Sequence, residues 1–250
     1  MQKVFFHFGP GGHARTEQAW LASSSKLHFF DCSTLSPPPC NFDEMVNMHR
    51  EYIEENFSEP VEIVAHSFGC NVAWKLQEQL PEKITKVKLI SPMRDIKQSL
   101  INFCQQVSLL EKNKTLTPLV ASLKKDPSDL TALWSAVGLT YQQESALPSL
   151  WSSVNNFNKW VSLQALSPEF DFNYWTSFLN QYFDPKQQVS YSNKSRVPIK
   201  AYLGLTDPYL THSDFNFWKE LLGVDNVITC PNSSHFPHLE EPLLLELQIK

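Results

Sequence analysis

The stretch Val61–Trp74, "VEIVAHSFGCNVAW", contains the transition that decides the fold. Its first part, up to His66, is mostly apolar and favours a buried β-strand. After Ser67 the apolar side chains recur at helical spacing until Pro81, which predicts a helix that ends there. Ser67 therefore lies in a very short turn between a strand and a helix.

A turn of this kind lifts its central side chain clear of the edge of the sheet. The residues two positions away on either side must be small, or the strand and the helix collide. Ala65 and Gly69 meet this requirement. The start of the following helix adds a positive dipole end, which suits a developing oxyanion. Ser67 is therefore a candidate nucleophile, and the alternative reading is a serine that caps the helix.

Strand-like and helix-like segments alternate on both sides of this turn. Besides residues 61–66, strands are predicted at 3–8, 27–32, 86–91, 198–204 and 226–230. This alternation predicts parallel pairing, with helices on both faces of one sheet. A helix is expected at 42–57, and the segment "HLEEPLLLELQ" (238–248) is expected to form the last helix.

Between the fourth and fifth strands the alternation stops. Residues 96–196 contain no convincing strand and are rich in Gln, Asn, Ser, Leu and aromatic residues. The segment contains four of the tryptophans, Trp134, Trp151, Trp160 and Trp175. We expect several helices packed over the sheet. The predicted organisation is one α/β core, residues 1–95 and 197–250, interrupted by a helical insert at 96–196.

The bulk composition excludes several classes of protein. The chain has 250 residues, 42% hydrophobic and 19% charged, which is typical of a globular protein. Its net charge of −5 argues against nucleic acid or an anionic membrane as a partner, because both favour a basic surface. No run of about 18 apolar residues is present, so no membrane span is expected. The oligomeric state is left open.

The cysteines point to a reducing compartment. Five are scattered along the chain, an odd number with no metal-site spacing. Reduced thiols and a cytoplasmic location are therefore expected.

The predicted first strand ends in a glycine-rich loop, "HFGPGGH" (7–13). Such a loop exposes backbone N–H groups that could bind a negatively charged oxygen held near Ser67. We expect the amides of Gly9 and Phe68 to be these donors, with Phe8 as the alternative to Gly9. A phosphate-binding loop is less favoured, because the lysine and the glycine spacing of the nucleotide motifs are absent.

Two polar loops that follow later strands contain the remaining candidate catalytic residues. Asp207 comes three residues after a strand-ending glycine in "YLGLTDPYL" (202–210), although Asp-Pro is also frequent in simple turns. His235 follows the last predicted strand, and His238, three residues further on, is the alternative base. The carboxyl ends of parallel strands meet at one edge, where open α/β sheets place their sites. The order serine, acid, histidine is that of the α/β-hydrolase triad.

These motifs resemble those of the α/β-hydrolase family. "HFGPGG" is similar to the family's H-G-x-P-G turn, with Phe8 in place of a glycine, and "AHSFGC" resembles the nucleophile elbow. "GLTDPYL" resembles the acid loop, and "SSHFPHLEEP" is similar to the histidine loop. The resemblance implies an α/β-hydrolase fold, with a mostly parallel sheet of about six strands, helices on both faces and a helical cap formed by the insert.

The resemblance also implies roles for the site residues. Ser67 would be the nucleophile, His235 the base, and Asp207 the acid that orients the imidazole. Asp95, after the fourth predicted strand, is an alternative acid, but the sequence around Asp207 matches the acid loop more fully. This chemistry needs no metal ion and no organic cofactor.

The resemblance further implies a substrate class. We expect a serine hydrolase that cleaves a carboxylic ester or thioester with an apolar acyl group, on a small-molecule or carrier-bound substrate. The family's short-chain esterases and its esterases for acyl-carrier methyl esters share such a cap. The alternatives are an aminopeptidase or amidase similar to the proline iminopeptidases, or a non-hydrolytic binding protein or lyase on the same fold.

Overall fold

The computed structural model describes residues 2–6, 14–21, 27–32, 35–166 and 171–245 of the chain. Within them, one sheet has six strands in the order β2-β1-β3-β4-β5-β6, and all neighbouring pairs are parallel. The strands are Lys3–Phe6 (β1), Leu27–Phe30 (β2), Val61–His66 (β3), Ile84–Ile90 (β4), Ile199–Gly204 (β5) and Val227–Cys230 (β6). The predicted parallel sheet of about six strands is confirmed.

Helices connect the strands, as parallel pairing requires. The helices of the core are Ala14–Trp20 (α1), Phe42–Asn56 (α2), Gly69–Gln79 (α3), His212–Leu222 (α9) and Pro237–Glu240 (α10). Between β4 and β5 lie Ile96–Glu111 (α4), Leu116–Lys125 (α5), Leu130–Tyr141 (α6), Val154–Leu163 (α7) and Phe172–Tyr182 (α8). Short 3₁₀ turns lie at Pro148–Leu150, Gln164–Leu166 and Val224–Asn226. No helix among the described residues is long and apolar enough to cross a bilayer.

The expectation of a long last helix is wrong. The helix α10 spans four residues, and the chain then continues in turns to Leu245. Pro242 explains the difference, because proline has no N–H group to donate and restricts the residue before it to non-helical conformations. Glu241 accordingly has φ −130° and ψ 54°.

The strand order places the candidate site. The chain crosses from β1 to β2 on one side and continues with β3 on the other, so β1 and β3 flank the point where the order reverses. Their carboxyl ends lie side by side, with Phe6 paired to Ala65. Open parallel sheets bind ligands in the crevice that forms at the carboxyl ends of such a pair of strands. The strand β3 is buried along its whole length, so the residue that follows it starts from a rigid support.

Candidate active site

Ser67 has the strained backbone that the sharp turn predicts. It lies between β3 and α3 with a φ of 54°, in the left-handed region that residues other than glycine rarely adopt. Two backbone hydrogen bonds hold it there. Its N–H donates to the carbonyl of Ile90 at 2.9 Å, and its own carbonyl accepts from the N–H of Cys70 at 3.1 Å. Strain of this kind persists only where the surroundings fix it, and it is concentrated at functional sites.

Gly69 shows why the elbow needs a small residue. A Cβ atom at this position would lie 2.9 Å from the carbonyl oxygen of Phe6 in β1. Helix α3 therefore starts in direct contact with the neighbouring strand. Ala65, on the other side of Ser67, is fully buried.

The structure brings Ser67, His235 and Asp207 together. The Nε2 atom of His235 lies 3.2 Å from Ser67 Oγ, and its Nδ1 atom lies 2.9 Å from Asp207 Oδ2. All three residues are at most 8% exposed. A carboxylate can only accept, so Nδ1 carries a proton and donates it to Asp207. In the neutral ring, Nε2 is then free to accept the proton of the Ser67 hydroxyl.

The acid loop and the histidine loop touch each other. Asp207 is held by its second carboxylate oxygen, Oδ1, which accepts from the N–H of Tyr209 at 2.9 Å. At Gly204, the last residue of β5, a Cβ atom would lie 1.8 Å from the carbonyl oxygen of Ser234. Only glycine allows the loop that carries His235 to pass this close to the loop that carries Asp207.

The two alternative residues have other partners. Asp95 caps helix α4, where its Oδ1 atom accepts from the N–H of Gln98 at 3.0 Å. The Nε2 atom of His238 lies 3.2 Å from Glu17 Oε1, and both residues are buried. Tertiary packing thus selects Asp207 and His235 as the partners of Ser67.

The predicted oxyanion donors are only partly described. Gly9 and its alternative, Phe8, lie outside the described residues. Phe68 directly follows Ser67 and adopts φ −58° and ψ −34° at the beginning of α3, where the N–H groups form the positive end of the helix dipole. Its ring packs against Phe42, Phe178 and Tyr182 at centroid distances of 4.8 to 6.0 Å.

His66 is a site residue that the sequence motifs did not single out. Its Nε2–H donates to the backbone carbonyl of His235 at 2.7 Å, so His66 holds the backbone of His235 from the core side. Its position directly before Ser67 was the available signal. The hydrogen bond does not follow from that position alone, because His66 and His235 are 169 residues apart.

Among the described residues, one cluster has the geometry of a metal site. Glu17, His66 and His238 are buried and offer ligand atoms within 4.8 Å of one another. These groups could hold a cation. The contact between His238 and Glu17 also pairs a buried carboxylate with an imidazole. This pairing explains the burial of both polar side chains without a metal ion. The cluster adjoins the site through His66.

Two further groups near the site stay neutral. Burial raises the pKa of the Cys70 thiol, whose sulfur contacts the carbonyl oxygens of Ala65 and Ile90 beneath the elbow. Burial, and then the neighbouring Tyr141, raises the pKa of Tyr209 well above its ordinary value. The Tyr209 ring lies 4.6 Å from the His235 ring. Cys70 therefore does not compete as a thiolate nucleophile, and Tyr209 packs against the histidine as a neutral ring.

Comparison with known proteins shows which solved structures have a similar fold. No family model matches the sequence, and no curated protein matches it. A proline iminopeptidase-related protein from Thermus thermophilus is similar in structure, with a TM-score of 0.67 and 16% identity over 98% of this chain and 86% of that chain. A thermophilic esterase gives a TM-score of 0.60 and 17% identity over 98% and 86%. An epoxide hydrolase from Bacillus megaterium gives 0.57 and 14% over 98% and 90%.

At these identities the likeness establishes the fold. An α/β-hydrolase fold protein from Burkholderia ambifaria is also similar, with a TM-score of 0.60 and 11% identity over 98% of this chain and 87% of that chain. The chain has the α/β-hydrolase fold, as the sequence motifs predicted.

Proposed function

We propose that this protein is a serine hydrolase that cleaves a carboxylic ester or thioester with an apolar acyl group. The observation that carries the proposal is the hydrogen-bonded series Ser67–His235–Asp207, at 3.2 and 2.9 Å. It lies at the sheet edge where this fold places its chemistry. Several solved structures of the same fold are named as hydrolases, including the thermophilic esterase, which supports this reaction class.

The reaction follows from the protonation states of the three groups. Ser67 Oγ attacks the acyl carbon while its proton moves to His235 Nε2. Asp207 stabilises the resulting imidazolium and keeps its orientation. The N–H of Phe68, with that of Gly9 as the proposed second donor, binds the oxyanion. His235 then protonates the leaving alcohol or thiol, and a water molecule activated by the same histidine releases the acyl group from Ser67.

The substrate class rests on the apolar surroundings of the nucleophile. The Phe68 ring contacts Phe178 and Tyr182, both on helix α8 of the insert. Aromatic side chains from core and insert thus meet beside Ser67, which favours an apolar acyl chain. The substrate is a small molecule or a carrier-bound acyl group, with an acyl-carrier methyl ester as one candidate.

We also place the protein in the cytoplasm. Each of its five cysteines, all within the described residues, carries a free thiol. Free thiols of this number persist in a reducing compartment.

Labelling with a fluorophosphonate probe tests the nucleophile. The wild-type protein should be labelled, and Ser67→Ala should lose both labelling and p-nitrophenyl ester hydrolysis. Ser91→Ala is the matched control, because Ser91 is also buried, also follows a strand and has a φ of 46°. Full labelling of Ser67→Ala, or equal losses in the two variants, would contradict the proposal.

A substrate panel tests the reaction class. Esters and thioesters of graded acyl length should be turned over, with kcat/KM rising as the acyl chain lengthens. Turnover of proline β-naphthylamide and not of esters would instead assign an aminopeptidase, the alternative that the similarity to the Thermus thermophilus protein favours.

A further inference from the structure

The helical insert is attached to the loop that carries His235. Residues 149–156, here called the cap segment, comprise the end of the connection between the insert's helices α6 and α7 and the first turn of α7. Residues 231–236, here called the histidine loop, follow β6. Hydrogen bonds and a ring stack connect these two segments, so the insert contributes to the position of the proposed base.

The backbone of His235 is held from two sides. Its N–H donates to the carbonyl of Leu150 in the cap segment at 3.0 Å. Its carbonyl accepts from His66 Nε2 in the core at 2.7 Å. The peptide units on either side of the proposed base are therefore fixed by the insert and by the sheet, and a shift of either partner would move the imidazole.

Glu240 fixes the residue before the base. Its Oε2 atom accepts from the backbone N–H of Ser234 at 2.7 Å. The Ser234 hydroxyl lies 3.1 Å from the carbonyl of Ser149 and 3.2 Å from that of Thr206, and it can donate to either. Ser234 itself is fully buried.

The second oxygen of the same carboxylate binds the insert. Glu240 Oε1 accepts from the Ser152 N–H at 2.8 Å, the Ser152 hydroxyl at 2.6 Å and Asn156 Nδ2 at 3.0 Å. One half-buried side chain thus bridges the cap segment and the histidine loop. With the Ser234 N–H, four groups donate to Glu240, and only a carboxylate can accept on both oxygens. Such charge-assisted bonds are about twice as strong as neutral ones.

A ring stack closes the same junction. The Trp151 ring stacks on Phe236 at 4.5 Å and on Trp20 of helix α1 at 5.4 Å. The stack joins insert, histidine loop and core. Trp151 and Phe236 are at most 6% exposed, so a buried apolar surface lies beside the polar contacts of Glu240.

We propose that Glu240 is a positioning residue, which couples the insert to the histidine loop and so holds His235 Nε2 in reach of Ser67 Oγ. This inference rests on the proposed function of the triad. Glu240 does not touch the reacting atoms. It acts through Ser234 and the cap segment, and its loss should therefore lower the rate of the chemical step without changing substrate affinity.

The variant Glu240→Gln tests this role, because the amide group would place a donor against Ser234 N–H or against Ser152. We expect kcat for a p-nitrophenyl ester to fall by about 10- to 100-fold with KM unchanged, since a displacement of about 1 Å can cost that much. Ser152→Ala keeps one backbone bond to Glu240 and should show a smaller loss.

The matched control is Glu111→Gln. The Glu111 carboxylate accepts from the backbone N–H of Ser145 at 2.9 Å, a contact of the same kind that lies within the insert. Only Glu240→Gln should lower kcat, because the Glu111 contact does not involve the histidine loop. A kcat for Glu240→Gln within twofold of that for Glu111→Gln would overturn the proposal.

Amide hydrogen exchange separates this inference from the proposed function. The N–H groups of Ser234 and His235 should exchange at least tenfold faster in Glu240→Gln than in the wild type, and at the wild-type rate in Glu111→Gln. One outcome is faster exchange in Glu240→Gln while the wild type neither hydrolyses esters nor reacts with the fluorophosphonate. That result would support the coupling of the insert to the histidine loop and refute the proposed hydrolase function. Unchanged exchange in Glu240→Gln would refute the coupling.

Discussion

At the scale of single residues, the candidate site depends on places where backbones meet without side chains between them. Gly69 lets α3 start against β1, and Gly204 lets the histidine loop pass the acid loop. Both glycines are required by the space around them and not by their own φ. The elbow pattern predicts the small residue at Gly69, but the requirement at Gly204 is invisible to any local rule, because the obstructing Ser234 carbonyl belongs to a distant part of the chain.

Gly204→Ala should disable the site. The added Cβ would lie 1.8 Å from the Ser234 carbonyl oxygen, which is backbone and cannot rotate away. Either β5 or the histidine loop must shift, and the rate of fluorophosphonate labelling should fall by about 100-fold or more.

Gly138→Ala is the control for this substitution. Gly138 lies in helix α6, and no described atom beyond the adjacent residues and the backbone of the same helix is within 4 Å of the position that its Cβ would take. This variant should keep the labelling rate and gain up to about 1 kcal/mol of stability. Equal labelling rates in the two variants would show that the loops have more freedom than the structure indicates.

At the scale of elements, the insert is attached to the core by polar contacts at more than one place. Besides the junction at Glu240, the helix that follows Ser67 binds the far end of the insert. Asn71 of α3 accepts at Oδ1 from the hydroxyls of Tyr182 and Tyr191, at 2.9 and 2.6 Å. Asn71 is fully buried. The nucleophile helix and the insert are therefore packed as one unit.

Asn71→Ala should loosen this attachment. It removes the shared acceptor of two tyrosine hydroxyls in the interior, and we expect a loss of about 2–4 kcal/mol in the free energy of unfolding, measured with urea. Tyr191→Phe removes one donor and leaves Asn71 paired with Tyr182, so its cost should be about 1 kcal/mol. A cost for Asn71→Ala no larger than that for Tyr191→Phe would argue against the double contact.

At the scale of the whole molecule, one buried histidine links folding to pH. His49 of α2 is 1% exposed, and the Phe6 and Phe30 rings pack nearly perpendicular to its ring. Its Nδ1–H donates to the Met45 carbonyl at 2.7 Å. Burial lowers the pKa of His49 from 6.5 to about 4, against the opposing effects of the Met45 hydrogen bond and of Asp31.

The fold should therefore lose stability in mild acid. Between pH 6.5 and about 4 the unfolded chain binds a proton at this position that the folded protein does not, so stability falls as the pH falls through this range. The contribution is about 3 kcal/mol. In urea unfolding, His49→Met should reduce the drop between pH 6.5 and 4 by about this amount.

His212→Gln is the control for the removal of a histidine. His212 is exposed at the start of helix α9, and its replacement should leave the acid-induced drop as in the wild type. An undiminished drop in His49→Met would mean that other groups govern the acid stability.

The sequence alone determined the class of fold and most of the candidate site. Strands and helices arise from local patterns of apolar residues, and parallel strands bring their carboxyl ends to one edge. The positions of Ser67, Asp207 and His235 after three such strands follow from these rules. The apolar pattern after His238 predicts a long helix, and the one-turn helix at Pro237 differs because Pro242 interrupts that pattern, a local effect that the sequence already contains.

Only the tertiary structure decided which polar groups are partners. Asp95 and His238 fit the sequence pattern as alternatives, and packing assigns them to a helix cap and to Glu17. The contact of Glu240 with Ser152 joins residues 88 apart, and that of His66 with His235 joins residues 169 apart. A hydrogen bond depends on a few tenths of an ångström, and such precision comes from the packing of whole elements, which no local pattern encodes.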